Sequence, residues 1–498
     1  MSRSVAYLIE YTMLPAMRWA LLGLVFLLGC GARTGLLYDQ LEGVNDQDAT
    51  LADSGKDAPY VCDDDGGDAS DASDAGDGGD APSCTGLACR VDACEGGGHT
   101  TLSGTVYDPA AANPIYDVFV YVPNAPLDPI PDGPACLPCA APASGQPITS
   151  AITDARGHFV LTDVPSGANV PLVMQIGKWR RQIILPNVTA CTGNVLSDKN
   201  MTRLPRKQSE GDIPRIALTT GCDQVECFLL NRIGLDPSEF TGPNGTGRVH
   251  VYRGQDDQQG LPPAPGNAYD LWGNLAKLQS YDILAASCEC SVIARDSKGP
   301  AYANMRSYLN GGGRVFATHY HYNWFANAAQ CNQGNGPCGG PPEFASVADW
   351  GISGNVPTTQ NIDISHPRGK ALADWLSALG ATPVYGKLDL TDLRSDVGTV
   401  YGNGTRWIYA PDGSLYDTFY LSFNTPVGSK AACGRAVFSD IHVTGSYASQ
   451  LKLWPASCSV PDANSDHTKN EIALEFLFFD LATCIQDDTR PPRQPCGK

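Results

Sequence analysis

Eighteen cysteines, many of them closely spaced, constrain this chain of 498 residues more than any other feature of its sequence. Disulfides form and persist in oxidising compartments, so this content argues against a cytoplasmic protein. Spacing alone does not fix connectivity, and metal binding by close pairs is the lesser alternative. The neighbours predicted to form disulfides are Cys136 with Cys139, Cys222 with Cys227, Cys331 with Cys338, and Cys484 with Cys496.

The N-terminus has the organisation of a secretory signal, which is assigned to residues 1–29. Arg18 is followed by a short apolar run over 19–28 and then by small residues, as is typical of such signals. The sequence LLGC at 27–30 resembles the bacterial lipobox, and this resemblance implies that Cys30 carries a lipid. The apolar run is too short for a permanent transmembrane helix, so acyl chains would hold the protein at the membrane. The alternative is an ordinary cleaved signal with an accidental cysteine.

Residues 30–83 form an acidic, low-complexity segment whose aspartates recur every third residue from Asp68 to Asp80. A tract with little to bury and with charges that repel one another is expected to be a disordered tether. Calcium binding is the alternative, but the spacing of an EF-hand and its closing glutamate are absent. The rest of the chain is only mildly acidic, so nucleic acid is not an expected partner. If Cys30 is lipidated, one of the remaining cysteines, for example Cys62, is expected to stay free or to pair between chains.

A β-rich segment is predicted over residues 101–221, after a short cysteine-rich segment at 84–100. Short runs of β-branched and aromatic residues alternate with Pro, Gly and Asn turns, which is typical of an all-β sandwich. The predicted strands lie at 118–122, 159–161, 172–176 and 182–185.

Two stretches of this segment resemble carboxypeptidase regulatory-like domains. Residues 103–108 read SGTVYD, and residues 153–161 read TDARGHFVL. In the second stretch a turn leads into a strand in which Phe159 and Leu161 share one face. The resemblance implies a scaffold or binding module without catalytic residues of its own.

Strands and helices alternate over residues 247–485, between a linker at 222–246 and a tail at 486–498. Short apolar strands that alternate with helices predict a doubly wound, flavodoxin-like parallel sheet with helices on both faces. The chain is therefore expected to be multidomain. Strands are predicted at 248–252, 281–287, 314–318 and 434–442, and helices at 271–278, 301–309, 366–379 and 470–481.

Two pieces of this region resemble class I glutamine amidotransferase-like domains, in particular their ThuA-like branch. One is YLNGGGRVFATH at 308–319, and the other is GRAVFSDIH at 434–442; each is a strand that leads to a histidine. Together with the lipobox, the tether and the sandwich, they make the whole chain similar to a set of myxobacterial lipoproteins. The resembled amidotransferases place a nucleophilic cysteine on a tight turn after a strand. The turn that begins at His319 contains no cysteine, so we expect a domain without the usual nucleophile.

Ligands of open parallel sheets bind beyond the carboxyl ends of the strands. The candidate catalytic residues in that position are His319, His321 and His442. If the chain stays extended after His319, these histidines and Asp440 could together bind a divalent metal. The alternative is that the histidines are hydrogen-bonded structural groups.

Two further features of this region bear on the function. Cys288 ends a predicted strand, and Cys290 lies two residues later, so a structural or oxidised role for Cys288 is favoured over that of a nucleophile. Tyr320, Tyr322 and Trp324 form an aromatic turn that is suited to stacking on a sugar. The alternative places these rings in the core or in a lid.

These inferences predict a lipid-anchored protein of the outer membrane or cell envelope that faces the periplasm or the exterior. The leading hypothesis is a binding or structural protein whose partner is a glycan or another envelope component. It rests on the missing cysteine and on the aromatic turn. The alternative is a metal-assisted hydrolase or isomerase that acts on a small or sugar-like substrate. No cofactor is assured by the sequence, and a divalent metal is the one that the histidines suggest.

Overall fold

The computed structural model describes residues 84–136, 139, 141–254, 261–289, 301–331, 338–351, 354, 356–411, 418–443, 453–459 and 468–493. All of them lie in the unit Pro59–Lys498. The predicted signal peptide and the whole of the predicted tether, including Cys30 and Cys62, lie outside these residues. Many strands in several sheets and a few helices make up the described part. None of the helices in these ranges is long and apolar enough to cross a bilayer.

Two sheets form the first part of the described chain. Their strands are β1 (Thr101–Thr105), β2 (Phe119–Pro123), β3 (Pro147–Ile152), β4 (His158–Leu161), β5 (Gly167–Ile176), β6 (Trp179–Val188) and β7 (Gly193–Leu196). A four-stranded antiparallel sheet has the order β3-β2-β5-β6, and a three-stranded sheet has the order β4-β1-β7. Phe159 and Leu161 are buried while their neighbours in β4 are exposed, as the alternation of a strand requires. Both sheets contribute side chains to one hydrophobic core.

One large sheet dominates the second part. Its strands are β8 (Ile216–Thr219), β9 (Phe240–Thr241), β10 (Val249–Arg253), β11 (Gly266–Asn267), β12 (Ile283–Ala286), β13 (Arg314–Thr318), β15 (Gln360–Ile362), β16 (Lys387–Leu388), β18 (Gly404–Tyr409), β19 (Thr418–Thr425) and β20 (Gly434–Ser439). A separate two-stranded sheet pairs β14 (Ala348–Trp350) with β17 (Val397–Val400). The order in the large sheet is β11-β10-β8-β12-β13-β20-β19-β18-β15-β16, with β9 beside β10.

The large sheet is parallel over one half and antiparallel over the other. Neighbours from β11 to β20 run parallel, and neighbours from β20 to β16 run antiparallel. The prediction of a parallel sheet is therefore correct for one half only. The antiparallel half comes from strands of residues 360–425, where no strand was predicted from the sequence.

The helices are short, apart from three. They are α1 (Lys199–Thr202), α2 (Val225–Cys227), α3 (Ala268–Trp272), α4 (Leu275–Leu278), α5 (Tyr302–Asn310), α6 (Pro342–Ala345), α7 (Pro367–Ala378) and α8 (Thr468–Ala482). The helix predicted at 366–379 is confirmed as α7, with Pro367 in its first turn, where proline is tolerated. The His366 side chain caps this helix by accepting a hydrogen bond from the Gly369 amide at 3.1 Å.

Helix α8 joins the two parts of the described chain. Most of its side chains are buried, as expected of a helix that is apolar on nearly all sides. Phe479 packs edge-on against Trp179 of β6, with ring centroids 5.8 Å apart. Phe478 packs in the same way against Phe316 of β13, at 6.4 Å. The small sheets and the large sheet therefore share a core through this helix.

A buried ion network also crosses this junction. Arg368 donates to Asp117, which lies just before β2, and to Asp480 of α8, at 2.6 Å in each case. Arg435 of β20 donates to Asp480 at 3.0 Å and to Asp488 at 2.8 Å. Both arginines are about 1 % exposed, and charges this deeply buried are tolerated only when they are paired. Truncating either arginine would leave buried carboxylates without their partner.

The predicted boundary between the β-rich segment and the linker does not fit the structure. Strand β8 falls within residues 101–221, yet it pairs with β10 and β12 in the large sheet. The predicted linker contains the helical segment Phe228–Ile233, in which Phe228, Leu229 and Ile233 are buried. The reason is that a four-residue apolar strand has the same sequence pattern whichever sheet it joins, so only its pairing in the folded protein shows to which sheet it belongs.

The disulfides correct most of the predicted cysteine pairs. Only Cys331 pairs with its predicted neighbour, Cys338. Cys222 is in a disulfide, and Cys496 lies outside the described residues. The other disulfides are Cys84–Cys89, Cys94–Cys191, Cys136–Cys433, Cys139–Cys484 and Cys227–Cys458. Three of these five close loops of more than 200 residues, which spacing along the chain cannot reveal.

Candidate functional site

The carboxyl ends of four parallel strands meet at one edge of the large sheet. Ala286 of β12 pairs with Thr219 of β8 and with Ala317 of β13, and Ala317 pairs with Phe438 of β20. The strands therefore end in one row, and the residues that follow them lie close together. This is the edge at which ligands of open α/β sheets bind.

Cys288 and His319 are in direct contact at this edge. Sγ of Cys288 lies 3.0 Å from Nδ1 of His319, and Nε2 of His319 lies 3.7 Å from Oδ2 of Asp396. Cys288 is a free cysteine and is 2 % exposed. The expected oxidised role of Cys288 is therefore wrong, because its thiol faces an imidazole and carries no disulfide.

His442, which follows β20, completes a group of three donors. One ligand atom from each of Cys288, His319 and His442 lies within 4.8 Å of the other two. Nδ1 of His442 lies 3.9 Å from a carboxylate oxygen of Asp392. Sulfur and imidazole nitrogen at such separations are a donor set that Zn²⁺ and Cu²⁺ favour. The described residues thus include a group that could hold a metal ion, which agrees in part with the predicted metal site.

The backbone around this group is tightly constrained. His319 adopts the left-handed conformation, with φ of +44°, which costs energy for a residue other than glycine. This turn brings the amide of Tyr320 to the sulfur of Cys288. On the other side, the amide of Cys222 donates to the carbonyl of Cys288 at 2.7 Å. A side chain at Gly221 would overlap that carbonyl, so glycine is required for the close approach of the two chain segments.

Burial keeps the sulfur and the imidazole neutral. It raises the pKa of the Cys288 thiol well above its usual range, and the negative charges of Asp223 and Asp396 raise it further. It lowers the pKa of His319 well below its usual range, and the nearby His442 and Arg394 add to this effect. A protonated thiol beside a neutral imidazole is therefore the resting state of the pair near neutral pH.

Asp440 lies beside this group and not within it. Its carboxylate accepts a hydrogen bond from the backbone amide of Asp396 at 2.7 Å. Burial raises the pKa of Asp440 well above its usual range, and the charge of Asp396 adds to this effect. The prediction that Asp440 is a metal ligand is not supported by this position, since the donor group consists of Cys288, His319 and His442. Asp440 instead holds Asp396, which faces His319.

His321 does not point to the donor group either. A 3-10 helix, His319–Trp324, replaces the extended turn that would have put the two histidines on one face. Nε2 of His321 lies 2.8 Å from the Ser287 carbonyl oxygen, and its Nδ1 accepts a hydrogen bond from the Trp324 indole at 3.1 Å. Both ring nitrogens are thus engaged, and His321 is not part of the donor group, so its position does not support the predicted catalytic and metal-ligand roles.

The aromatic turn does not form a wall for a sugar. Tyr322 and Trp324 are at most 1 % exposed, and Trp324 packs against the rings of Trp272 and Tyr302. Tyr320 alone among the three predicted rings stays partly exposed, and it stacks on His319 with centroids 3.9 Å apart. The alternative that placed these rings in the core is correct for Tyr322 and Trp324.

The acidic segment that supports the site was not predicted from the sequence. Asp392, Arg394 and Asp396 lie between two short strands, in a stretch with neither helical nor strand periodicity. The structure ties this stretch to the loop after β20, because the Arg394 amide donates to the Asp440 carbonyl at 2.8 Å. The closely spaced acids at 389–396 were the only signal in the sequence.

Comparison with family models, with curated proteins and with solved structures finds no match for this chain.

Proposed function

We propose that Cys288, His319 and His442 hold a transition-metal ion, and that the protein is a metal-assisted hydrolase of the cell envelope. The observation that carries this proposal is the convergence of one sulfur and two imidazole nitrogens within 4.8 Å of one another. They come from three strand ends that are 31 or more residues apart in the chain, so only the fold brings them together.

The chemistry of the donors fits a borderline metal such as Zn²⁺. A thiolate and two imidazoles leave one position of a tetrahedral site for water or substrate, as in catalytic zinc sites. The neutral state of His319 favours binding, since a protonated imidazole cannot act as a ligand. The charges of Asp223 and Asp396, which oppose a bare thiolate at Cys288, would favour a cation at the same place.

Carboxylates stand behind both imidazoles. Asp396 lies 3.7 Å from the outer nitrogen of His319, and Asp392 lies 3.9 Å from a nitrogen of His442. Such carboxylates orient the ligating rings and raise their basicity. When bound, the metal would lower the pKa of a water molecule enough for it to act as a nucleophile near neutral pH.

The order of the parallel strands supports an amidotransferase-like, ThuA-like origin for this part. Counted along the chain, β8, β10, β12, β13 and β20 lie in the order 2-1-3-4-5, which is that of doubly wound, flavodoxin-like sheets. In the proposal, Cys288 and His442 have been recruited around the turn where the resembled amidotransferases carry their cysteine. The two sheets of the first part would then be the carboxypeptidase regulatory-like sandwich, which acts as a scaffold.

The lipobox supports the proposed location. We infer that Cys30 is lipidated, and that the protein faces the periplasm or the exterior from the outer membrane or another envelope membrane. The numerous disulfides favour an oxidising compartment. A glycan or another envelope component remains the proposed source of its substrate.

A cysteine nucleophile is the second candidate, because the contact between Cys288 and His319 is favourable for it. Sγ and Nδ1 are 3.0 Å apart, and Asp396 lies behind the imidazole in the manner of a catalytic triad. The pKa directions oppose this role, since burial disfavours the thiolate that attacks. Of the two grounds for a non-catalytic binding or structural protein, the aromatic wall does not form, since Tyr322 and Trp324 are buried, whereas the turn that begins at His319 still contains no cysteine.

Metal analysis of the purified full-length protein tests the proposal. We expect stoichiometric zinc or another first-row metal in the wild type, and its loss in Cys288→Ala and in His442→Ala. His99→Ala is the matched control, since His99 is an exposed histidine paired with Asp163. A metal-free wild type whose Cys288 reacts with iodoacetamide would favour the cysteine nucleophile instead.

A further inference from the structure

Arg394 lies between the two carboxylates that stand behind the donor group. Its Nη1 donates to Asp392 at 2.9 Å, and Asp392 in turn faces His442. Two residues further along the chain, Asp396 faces His319. The backbone of this segment is fixed, because Leu393 forms a β-bridge with Ile441, just before His442. The guanidinium is therefore held by Asp392, whose second oxygen faces His442 of the proposed metal site.

One edge of the Arg394 guanidinium makes no hydrogen bond with the described residues. The pair with Asp392 uses Nη1, and the side chain is 37 % exposed. The edge formed by Nε and Nη2 matches the two oxygens of a carboxylate. Arg232 and Arg406 both use this same edge for a carboxylate of the protein, Glu471 and Asp363 respectively.

We propose that Arg394 is a substrate-binding residue and that the substrate carries a carboxylate close to the bond that is hydrolysed. This inference rests on the proposed function, because it places the reacting group of the substrate at the metal of Cys288, His319 and His442. The carboxylate would bind to Nε and Nη2 of Arg394, while Asp392 holds the guanidinium in place.

One carboxylate links Arg394 to the donor group. Oδ1 of Asp392 accepts from Nη1 of Arg394 at 2.9 Å, and Oδ2 of the same carboxylate lies 3.9 Å from Nδ1 of His442. Because a single carboxylate spans the distance between the guanidinium and one of the three donors, we expect one small substrate to contact the metal and the guanidinium together. A long ligand is not needed for the two contacts.

Binding of two matched ligands to the cobalt-loaded, full-length protein tests the inference. Succinate and succinamate differ only in that the second has an amide in place of one carboxylate. Both are titrated while the visible spectrum of the bound cobalt is followed. We expect the wild type to bind succinate at least about tenfold more tightly, because a charge-assisted bidentate pair is lost with the amide.

The variants assign that preference to Arg394. Arg394→Gln should bring the ratio of the two affinities close to one and leave the cobalt spectrum unchanged. Arg394→Lys keeps the charge without the bidentate edge and should give an intermediate ratio. Arg156→Gln, which removes an exposed arginine of the first part, should keep the wild-type ratio.

Three results would overturn the inference. The first is that the wild type binds the two ligands with equal affinity. The second is that Arg394→Gln keeps the preference for succinate. The third applies if the Gln variant does not fold, and is that Arg394→Lys keeps the wild-type ratio of affinities. A wild type that gives no cobalt spectrum refutes the proposed function itself, and the inference with it. That outcome is distinct from a bound cobalt that shows no preference between the ligands.

Discussion

Nδ1 of His319 lies 3.0 Å from Sγ of Cys288, although 31 residues separate them in the chain. The contact follows from the pairing of β12 with β13, which aligns Ala286 with Ala317 and so brings the next residues of both strands together. The left-handed backbone of His319 turns the chain back at this point. The sheet thus supplies two donors, and the strand on the other side of β13, β20, leads to the third, His442.

Replacing Asp396 should weaken metal binding without removing a ligand. Asp396 faces the outer nitrogen of His319 at 3.7 Å, and loss of such a carboxylate typically lowers metal affinity about 10- to 100-fold. We expect this decrease for Asp396→Asn in competition titrations with a chelator. Asp349→Asn is the control and should keep the wild-type metal affinity, because the Asp349 carboxylate accepts a hydrogen bond from the exposed Tyr401. An unchanged metal affinity in Asp396→Asn would show that this carboxylate does not support metal binding.

His321 and His442 should separate stability from metal binding. His321→Phe removes two buried hydrogen bonds, to Ser287 and Trp324, and should lower the free energy of unfolding by about 1–3 kcal/mol. It should keep the bound metal. His442→Phe should lose the metal, because its imidazole is one of the three donors. Denaturant titration and metal analysis of both variants check this, and loss of metal in folded His321→Phe would contradict it.

Glu226 should make the stability depend on pH. Burial raises its pKa from 4.5 to about 8, and Asp223 adds to the rise. Between these values the folded state keeps a proton that the unfolded state has released. The contribution to stability is therefore complete below about pH 4.5 and is lost as the pH rises through about 8.

Denaturant titrations at several pH values test this dependence. Glu226→Gln should reduce the loss of stability between pH 5 and 9 relative to the wild type, because an amide does not titrate. Glu95→Gln, at an exposed glutamate, should leave the profile unchanged. Parallel profiles for the wild type and Glu226→Gln would show that burial of this carboxyl does not govern the pH dependence.

The disulfide Cys136–Cys433 should stabilise the fold without supporting the site. It closes a loop of 297 residues, and removal of a native disulfide typically costs about 2–5 kcal/mol. Cys433 directly precedes β20, whose opposite end leads to His442. We expect the double variant Cys136→Ser/Cys433→Ser to unfold at lower denaturant concentration and still to bind metal. Stability equal to that of the wild type would contradict the first expectation, and loss of metal from a folded variant the second.

Strands with a continuous apolar run were predictable from the sequence. The bounds predicted for β13 coincide with those of the structure, and α7 and α8 lie where their periodicity placed them. Buried parallel strands and amphipathic or apolar helices depend on local patterns, which a sequence displays directly. Strand β8 has the same apolar pattern, but its partners β10 and β12 are known only from tertiary pairing.

The site was only partly predictable for a related reason. His319 and His442 were expected at strand ends, and both lie there. Cys288 was set aside because Cys290 is so near, yet in the structure Cys288 is free and contacts an imidazole. His321 was expected beside His319, but the 3-10 helix turns it into the core. The position of His321 was not predictable, since the left-handed turn at His319 leaves no trace in periodicity.

Electronic absorption of the cobalt-substituted protein tests the central claim most directly. A thiolate bound to Co²⁺ gives a sulfur-to-metal charge-transfer band, so the wild type should show this band at one equivalent of cobalt. Cys288→Ser should lose it, while the control His99→Ala should keep it. A wild type without the band, or a Cys288→Ser variant that retains it, would contradict a metal centre built on Cys288, His319 and His442.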